Sequence, residues 1–154
     1  MKKVLISILF LATVLLIDHR AAGQNGSNSL NDQLFYAALS GDTAAVQRSL
    51  DKGANIETTD EHGNTPLIEA AFYGNTEVAK LLLAKGANIE AKNDMGETPL
   101  IVAAVRDQRE VVKLLLDKGA NISAKDGSGE TALERAEGLG QEEVAKLLRE
   151  HGAR

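Results

Sequence analysis

The feature that most restricts the fold is a segment of 33 residues that occurs twice in direct succession. Asp60–Lys92 reads DEHGNTPLIEAAFYGNTEVAKLLLAKGANIEAK, and Asn93–Lys125 reads NDMGETPLIVAAVRDQREVVKLLLDKGANISAK. A period of roughly 20–50 residues marks a stack of supersecondary units, each burying its apolar face only against its neighbours. The chain is therefore expected to be a linear array built from contacts between adjacent units.

The residues inside one period predict its local structure. Thr65 accepts hydrogen bonds from the free N–H groups of a helix start, and Pro66 at the first helical position loses no bond. Leu67, Ala70 and Ala71 follow at helical spacing, the alanines small enough for a neighbouring helix to approach. Gly74 suits the left-handed end of that helix. Asn75-Thr76 is then expected to cap a second helix, with Val78, Leu81 and Leu82 as its apolar stripe and Gly86 at its end. Ala87–Glu97 is expected to run extended and return as a hairpin. The third unit repeats this plan through Thr98, Pro99, Leu100, Ala103, Val111, Leu114, Leu115 and Gly119.

The outer units depart from the pattern where caps should. In residues 31–59 the Thr-Pro-Leu start is missing, Asp32 is expected to do the work of Thr65, and Arg48 and Ser49 stand in place of Leu81 and Leu82. That reads as a face turned polar. In residues 126–154, Ala132 replaces Pro, Glu137 replaces the second Ala, and Arg149 replaces the third Leu.

The start of the chain has the composition of a processing signal. Met1-Lys2-Lys3 is basic, Val4–Ile17 is almost wholly apolar, and Ala21-Ala22-Gly23 offers small residues for cleavage. The apolar run is short of the ~20 residues a spanning helix needs, so a signal peptide at 1–23 is preferred to an uncleaved anchor. A polar leader is expected at 24–30 and the folded domain at 31–154. Loss of Lys2, Lys3 and Arg20 against Asp18 moves the formal charge from −5 to −7. An acidic chain is a poor partner for nucleic acid or anionic lipid. With no cysteine, stability must come from stacking, and export without disulfides points to a bacterial periplasm, with secretion as the alternative.

G-x-T-P-L-x-x-A-A and L-L-L-x-x-G-A recur in phase across Asn31–Arg154, and on these residues the chain resembles the ankyrin repeat family. Ile68 and Ile101 depart from it, standing where the family commonly has His. The resemblance implies an all-α repeat solenoid: helix-turn-helix units joined by β-hairpin-like fingers, with unit boundaries at 31–59, 60–92, 93–125 and 126–154. It also implies recognition through residues that vary between repeats, on the finger tips and the nearby first-helix surface. In this sequence these are Glu61, His62 and Asn64, Asp94, Met95 and Glu97, and Phe72, Tyr73, Val105 and Arg106, with Ser128, Glu130 and Leu139 further along. Phe72-Tyr73 stands out, since stacking does not require aromatics there and large aromatic side chains anchor interfaces. Phe72 packed as core against the first unit is the competing reading. With Met95 and Val105 the pair is expected to form an apolar patch rimmed by Glu61, Asp94 and Glu97.

Chemistry finds little support. His62 and His151 lie far apart in sequence, and no three or four metal ligands converge. Gly127-Ser128-Gly129 lacks the Lys and helix of a phosphate loop, and Glu142-Glu143 suits a helix start. No catalytic group, metal or cofactor is expected. The expected function is a monomeric scaffold that binds one protein in the bacterial envelope, in its sharper form restraining or protecting against an exported enzyme. The alternatives are a stabilising factor for a periplasmic stress or redox enzyme and a secreted, host-directed binding protein.

Overall fold

The computed structural model describes residues 29–154. The expected signal peptide and leader residues 24–28 lie outside the described residues. Eight helices follow in pairs among the described residues: α1 (Leu30–Ser40) and α2 (Thr43–Asp51), α3 (Pro66–Tyr73) and α4 (Thr76–Ala84), α5 (Pro99–Val105) and α6 (Arg109–Asp117), α7 (Ala132–Gly138) and α8 (Glu142–Glu150). The first helices α1, α3, α5 and α7 pack in one row, and α2, α4, α6 and α8 form a second row beside it. This is the expected repeat stack.

Thr65, Thr98 and Thr131 start three of the first helices, their hydroxyls accepting from the backbone N–H of Ile68, Ile101 and Glu134. Asp32 does not take that role in the first unit. Ser29 is the cap, accepting from Asp32 N at 3.1 Å while the Asp32 carboxylate accepts from Ser29 N at 3.1 Å. Leu30, read as leader, is the first helical residue.

Asn75 also acts differently from the expectation. It sits at the start of α4 without capping it, and its Nδ2 reaches back to the carbonyls of Ala38 (2.8 Å) and Leu39 (2.9 Å). Gln108 donates likewise to the Phe72 carbonyl (3.2 Å), and Gln141 to the Val105 carbonyl (3.4 Å). Each amide thus satisfies orphan carbonyls at the end of the preceding first helix and ties one repeat to the next. Gly74 ends α3 at φ 73°, as expected. The matching residue after α5 is Asp107, at φ 56° the one non-glycine with positive φ among the described residues.

The core runs along the interface between the two rows. Leu34, Leu67, Leu100 and Leu133 occupy one repeated position and are all buried, each side chain contributing about 1.5–3 kcal/mol on burial. One cluster centres on the first two repeats and another on the last two, and Leu83 packs against both. Ile68 and Ile101 are buried, so apolar packing occupies the place of the family's histidine. Ser49, read as part of a polar capping face, is buried as well, at the position of Leu82. Only its neighbour Arg48 is exposed. At the other end, Glu137 and Arg149 pair with each other on the uncovered surface of the last unit.

The fingers are tight turns rather than extended hairpins. Lys125–Thr131 is the single isolated bridge among the described residues. The reason is local: Asp60 Oδ1 accepts from His62 N and Asn64 N, Asn93 Oδ1 from Met95 N and Glu97 N, and Asp126 Oδ1 from Ser128 N and Glu130 N. These side chains take the donors that a strand ladder would use. Successive tips are joined through the backbone, Asp94 N to His62 O (3.0 Å) and Gly127 N to Met95 O (2.8 Å). A Cβ on Gly127 would lie 2.8 Å from the Met95 carbonyl oxygen, so glycine permits that close approach.

Candidate functional site

The variable residues lie on the fingers and first helices, and the structure divides them into exposed, half-buried and structural groups. Glu61, His62, Asp94, Met95, Tyr73 and Arg106 are exposed, with Met95 at 65% and Tyr73 at 50%. Asn64 and Phe72 are half-buried. Glu97 is buried at 7% exposure and is not a rim residue. Its carboxylate accepts from Asn93 Nδ2 at 3.0 Å and lies 3.7 Å from the Arg135 guanidinium. Val105 packs against the core of the last two repeats. Asn64 is engaged too, donating to Asp60 Oδ2 and accepting from Asn93 Nδ2.

Phe72 is not core against the first unit. Its ring centroid lies 4.9 Å from that of Tyr73, and the Arg106 guanidinium stacks on it at 3.6 Å. The pair therefore reaches toward the third repeat, through a contact of the cation–π type. Met95 does not join them. It stands on the finger that precedes the start of α5, whereas Phe72 and Tyr73 stand at the far end of α3, a helix about 12 Å long. The expected single apolar patch is two separate exposed features, a tip and an aromatic–arginine cluster.

Two important residues escaped sequence reasoning because they sit where the family skeleton is apolar. Position 69 of the second repeat corresponds to Val102 and Arg135 in the next two. Glu69 is buried at 7% exposure, and its carboxyl is pushed above the usual carboxylate range. Burial is the main cause and the charge of Asp60 adds to it, while a hydrogen bond from Asn64 and the proximity of His62 oppose the shift. Burial also raises the Tyr73 hydroxyl, with Glu69 adding to the effect and Arg106 countering it. Arg135, by contrast, is surrounded by Glu130 (3.3 Å), Asp126 (3.7 Å) and Glu97 (3.7 Å). Comparing aligned repeat positions for an apolar residue changed to a charged one would have found both.

Charge is distributed unevenly over the two sides. The finger and first-helix segments (29–40, 57–73, 90–106 and 123–139) carry 12 acidic residues against 4 lysines and arginines. The second-helix segments (41–56, 74–89, 107–122 and 140–154) carry 9 against 10. The whole negative excess therefore lies on the finger side. A groove of about 370 Å³ opens on that side, between α1 and the first finger, lined by Asp32, Phe35, Tyr36, Asp60 and Glu61 among others. A groove of about 200 Å³ on the other side mixes Arg109 and Lys146 with Glu143 and Glu150. Among the described residues, no group of three His, Cys, Asp or Glu could hold a metal ion, and no helix is long and apolar enough to cross a membrane.

Comparison with known proteins bears on the whole described domain. The family model for ankyrin repeats (3 copies) matches residues 34–126 and 91–154. No curated protein matches the chain.

Proposed function

This chain belongs to the ankyrin repeat family, a protein–protein interaction scaffold, and we propose from that premise that it binds one basic protein partner through its finger and first-helix side. The supporting observation is the confinement of the negative excess to that side, together with exposed Tyr36, Tyr73 and Met95. An acidic surface steers a cationic partner and fixes its orientation, and exposed aromatic side chains supply the anchoring area. The second-helix side offers neither.

The proposed setting is the bacterial envelope, after removal of residues 1–23, where the bound domain covers a basic cleft of an exported enzyme. Ankyrin domains are typically non-catalytic binding modules, so the effect on the partner comes from occupancy. Affinity capture from periplasmic extract tests this. Wild type is expected to retain a basic protein that a Phe72→Ala/Tyr73→Ala variant loses. Loss of that partner's activity on titration is expected for restraint of an enzyme; improved survival of heating would favour a stabilising role instead. Equal retention by wild type and variant, or none by either, would count against the proposal.

A further inference from the structure

The four basic residues of the finger side are unevenly placed along the stack. Lys92, Arg106, Lys125 and Arg135 all lie in the last two finger and first-helix segments, 90–106 and 123–139. The first two such segments, 29–40 and 57–73, contribute five acidic residues, Asp32, Glu57, Asp60, Glu61 and Glu69, and no lysine or arginine. The later fingers have a lysine at one repeated position, and Lys92 Nζ donates to the Lys125 carbonyl at 2.9 Å. The first finger has Thr59 at that position.

The last repeat shows how this scaffold receives a cation. The Arg135 guanidinium lies between the finger carboxylates Asp126 and Glu130 and the preceding Glu97. The second repeat keeps Asp60 at the position of Asp126 but has Glu69 in place of the arginine. A carboxylate therefore faces a carboxylate there without an internal lysine or arginine, and the neighbouring base is His62, whose ring lies 3.8 Å from Glu61. The open groove lies beside this pair. Phe35 and Tyr36 line it with a T-shaped contact at 6.4 Å between ring centroids, and Tyr36 is 53% exposed.

We propose that this groove takes a lysine or arginine side chain from an extended basic segment of the partner protein. The cationic head meets Asp60 and Glu61, and the aliphatic stem lies on Phe35 and Tyr36. The groove has the chemistry for this ligand: about 370 Å³ of space, aromatic faces and three lining carboxylates with no lining base. The open edge of the first finger supplies a main-chain contact as well. Later tips are joined by N–H to carbonyl bonds, and the corresponding Glu61 N–H is directed to the incoming segment. The inference rests on the protein-binding reading and names the chemistry of its partner.

The test is a titration of the isotope-labelled protein, followed by its amide NMR shifts, with acetyl-Gly-Ser-Lys-Ser-Gly-amide and its arginine, norleucine and glutamate counterparts. The lysine and arginine peptides are expected to move the amides of Tyr36, Thr59 and Glu61. Norleucine is expected to bind about tenfold more weakly, since it keeps the stem and loses the charge. Tyr36→Ala and Glu61→Lys should each weaken the lysine peptide by about tenfold at unchanged melting temperature, both side chains being exposed. Equal affinity for norleucine and lysine, shifts confined to the second-helix side, or wild-type affinity in Tyr36→Ala would overturn the proposal. The broader reading is separated by capture. A Tyr36→Ala/Glu61→Lys variant that still retains the partner at wild-type affinity removes this groove from the interface and leaves the scaffold standing. Failure of wild type to retain any protein removes the scaffold reading itself.

Discussion

Glu69 and Arg135 occupy the same position of the first helix, two repeats apart, and their surroundings are opposite. Arg135 is held by three carboxylates. Glu69 is buried beside Asp60, and its carboxyl is raised by burial and by that neighbour. The last two repeats have neutralised much of their acidic finger side from within, whereas the first two have not. One skeleton thus carries a self-satisfied half and a half whose charge is open to an external cation. The repeat determines where a side chain stands, and its departures determine whether that side chain is already engaged.

Breaking the engaged half should have the largest effect. Arg135→Ala leaves Glu97 and Asp126 buried without their cation, at 9% and 4% side-chain exposure. Arg135 itself is about one-third exposed, so solvent reduces the loss to about 2–3 kcal/mol, at the low end for a broken buried pair. Urea unfolding measures it. A loss no greater than that of Arg149→Ala, whose pair with Glu137 is exposed, would show that the three carboxylates do not depend on Arg135.

The ties between repeats should rank next. Asn75 makes two short bonds to main-chain carbonyls of the first repeat, whereas Gln141 makes one of 3.4 Å. Asn75→Ala should cost about 1–2 kcal/mol and Gln141→Ala about 0.5 kcal/mol or less. Equal losses in urea melts would remove the proposed difference between the two ends.

Glu69→Gln should give a smaller effect of the opposite sign. The folded-state pKa of Glu69 is raised, so the native chain binds its proton more tightly than the unfolded chain does. Its stabilising contribution is complete below the unfolded value of about 4.5 and is lost as pH rises through the higher folded value. At neutral pH the variant should therefore melt higher than wild type, with the gap closing as pH falls below the usual carboxylate range. A gap that widens on acidification would contradict the sign.

The stack was legible from the sequence because it depends on positions that recur: threonine caps, leucine stripes and alanine contacts. The misreadings occurred where local and tertiary bonding compete. Asn75 looked like a cap because capping is its commonest local role, but its amide reaches carbonyls 36 and 37 residues earlier. Glu97 looked like a tip residue because its neighbours are exposed, but pairing with an arginine 38 residues later draws it inside. Val105 was read as surface by analogy with Phe72, although it packs inward. The charged residues at positions 69 and 135 went unread because the repeat itself implies apolar packing there.

Partner binding is proposed for the finger side and not for the second-helix side. The most direct test compares two charge-altered proteins for affinity to the captured partner by calorimetry. One carries Glu61→Lys and Asp94→Lys on the exposed tips, the other Lys80→Glu and Lys113→Glu on the exposed second-helix side. The tip variant should lose affinity at least ~100-fold, given a few kcal/mol of like-charge juxtaposition, while the second-helix variant binds as wild type does. Undiminished binding by the tip variant, with affinity lost in the second-helix variant, would contradict it.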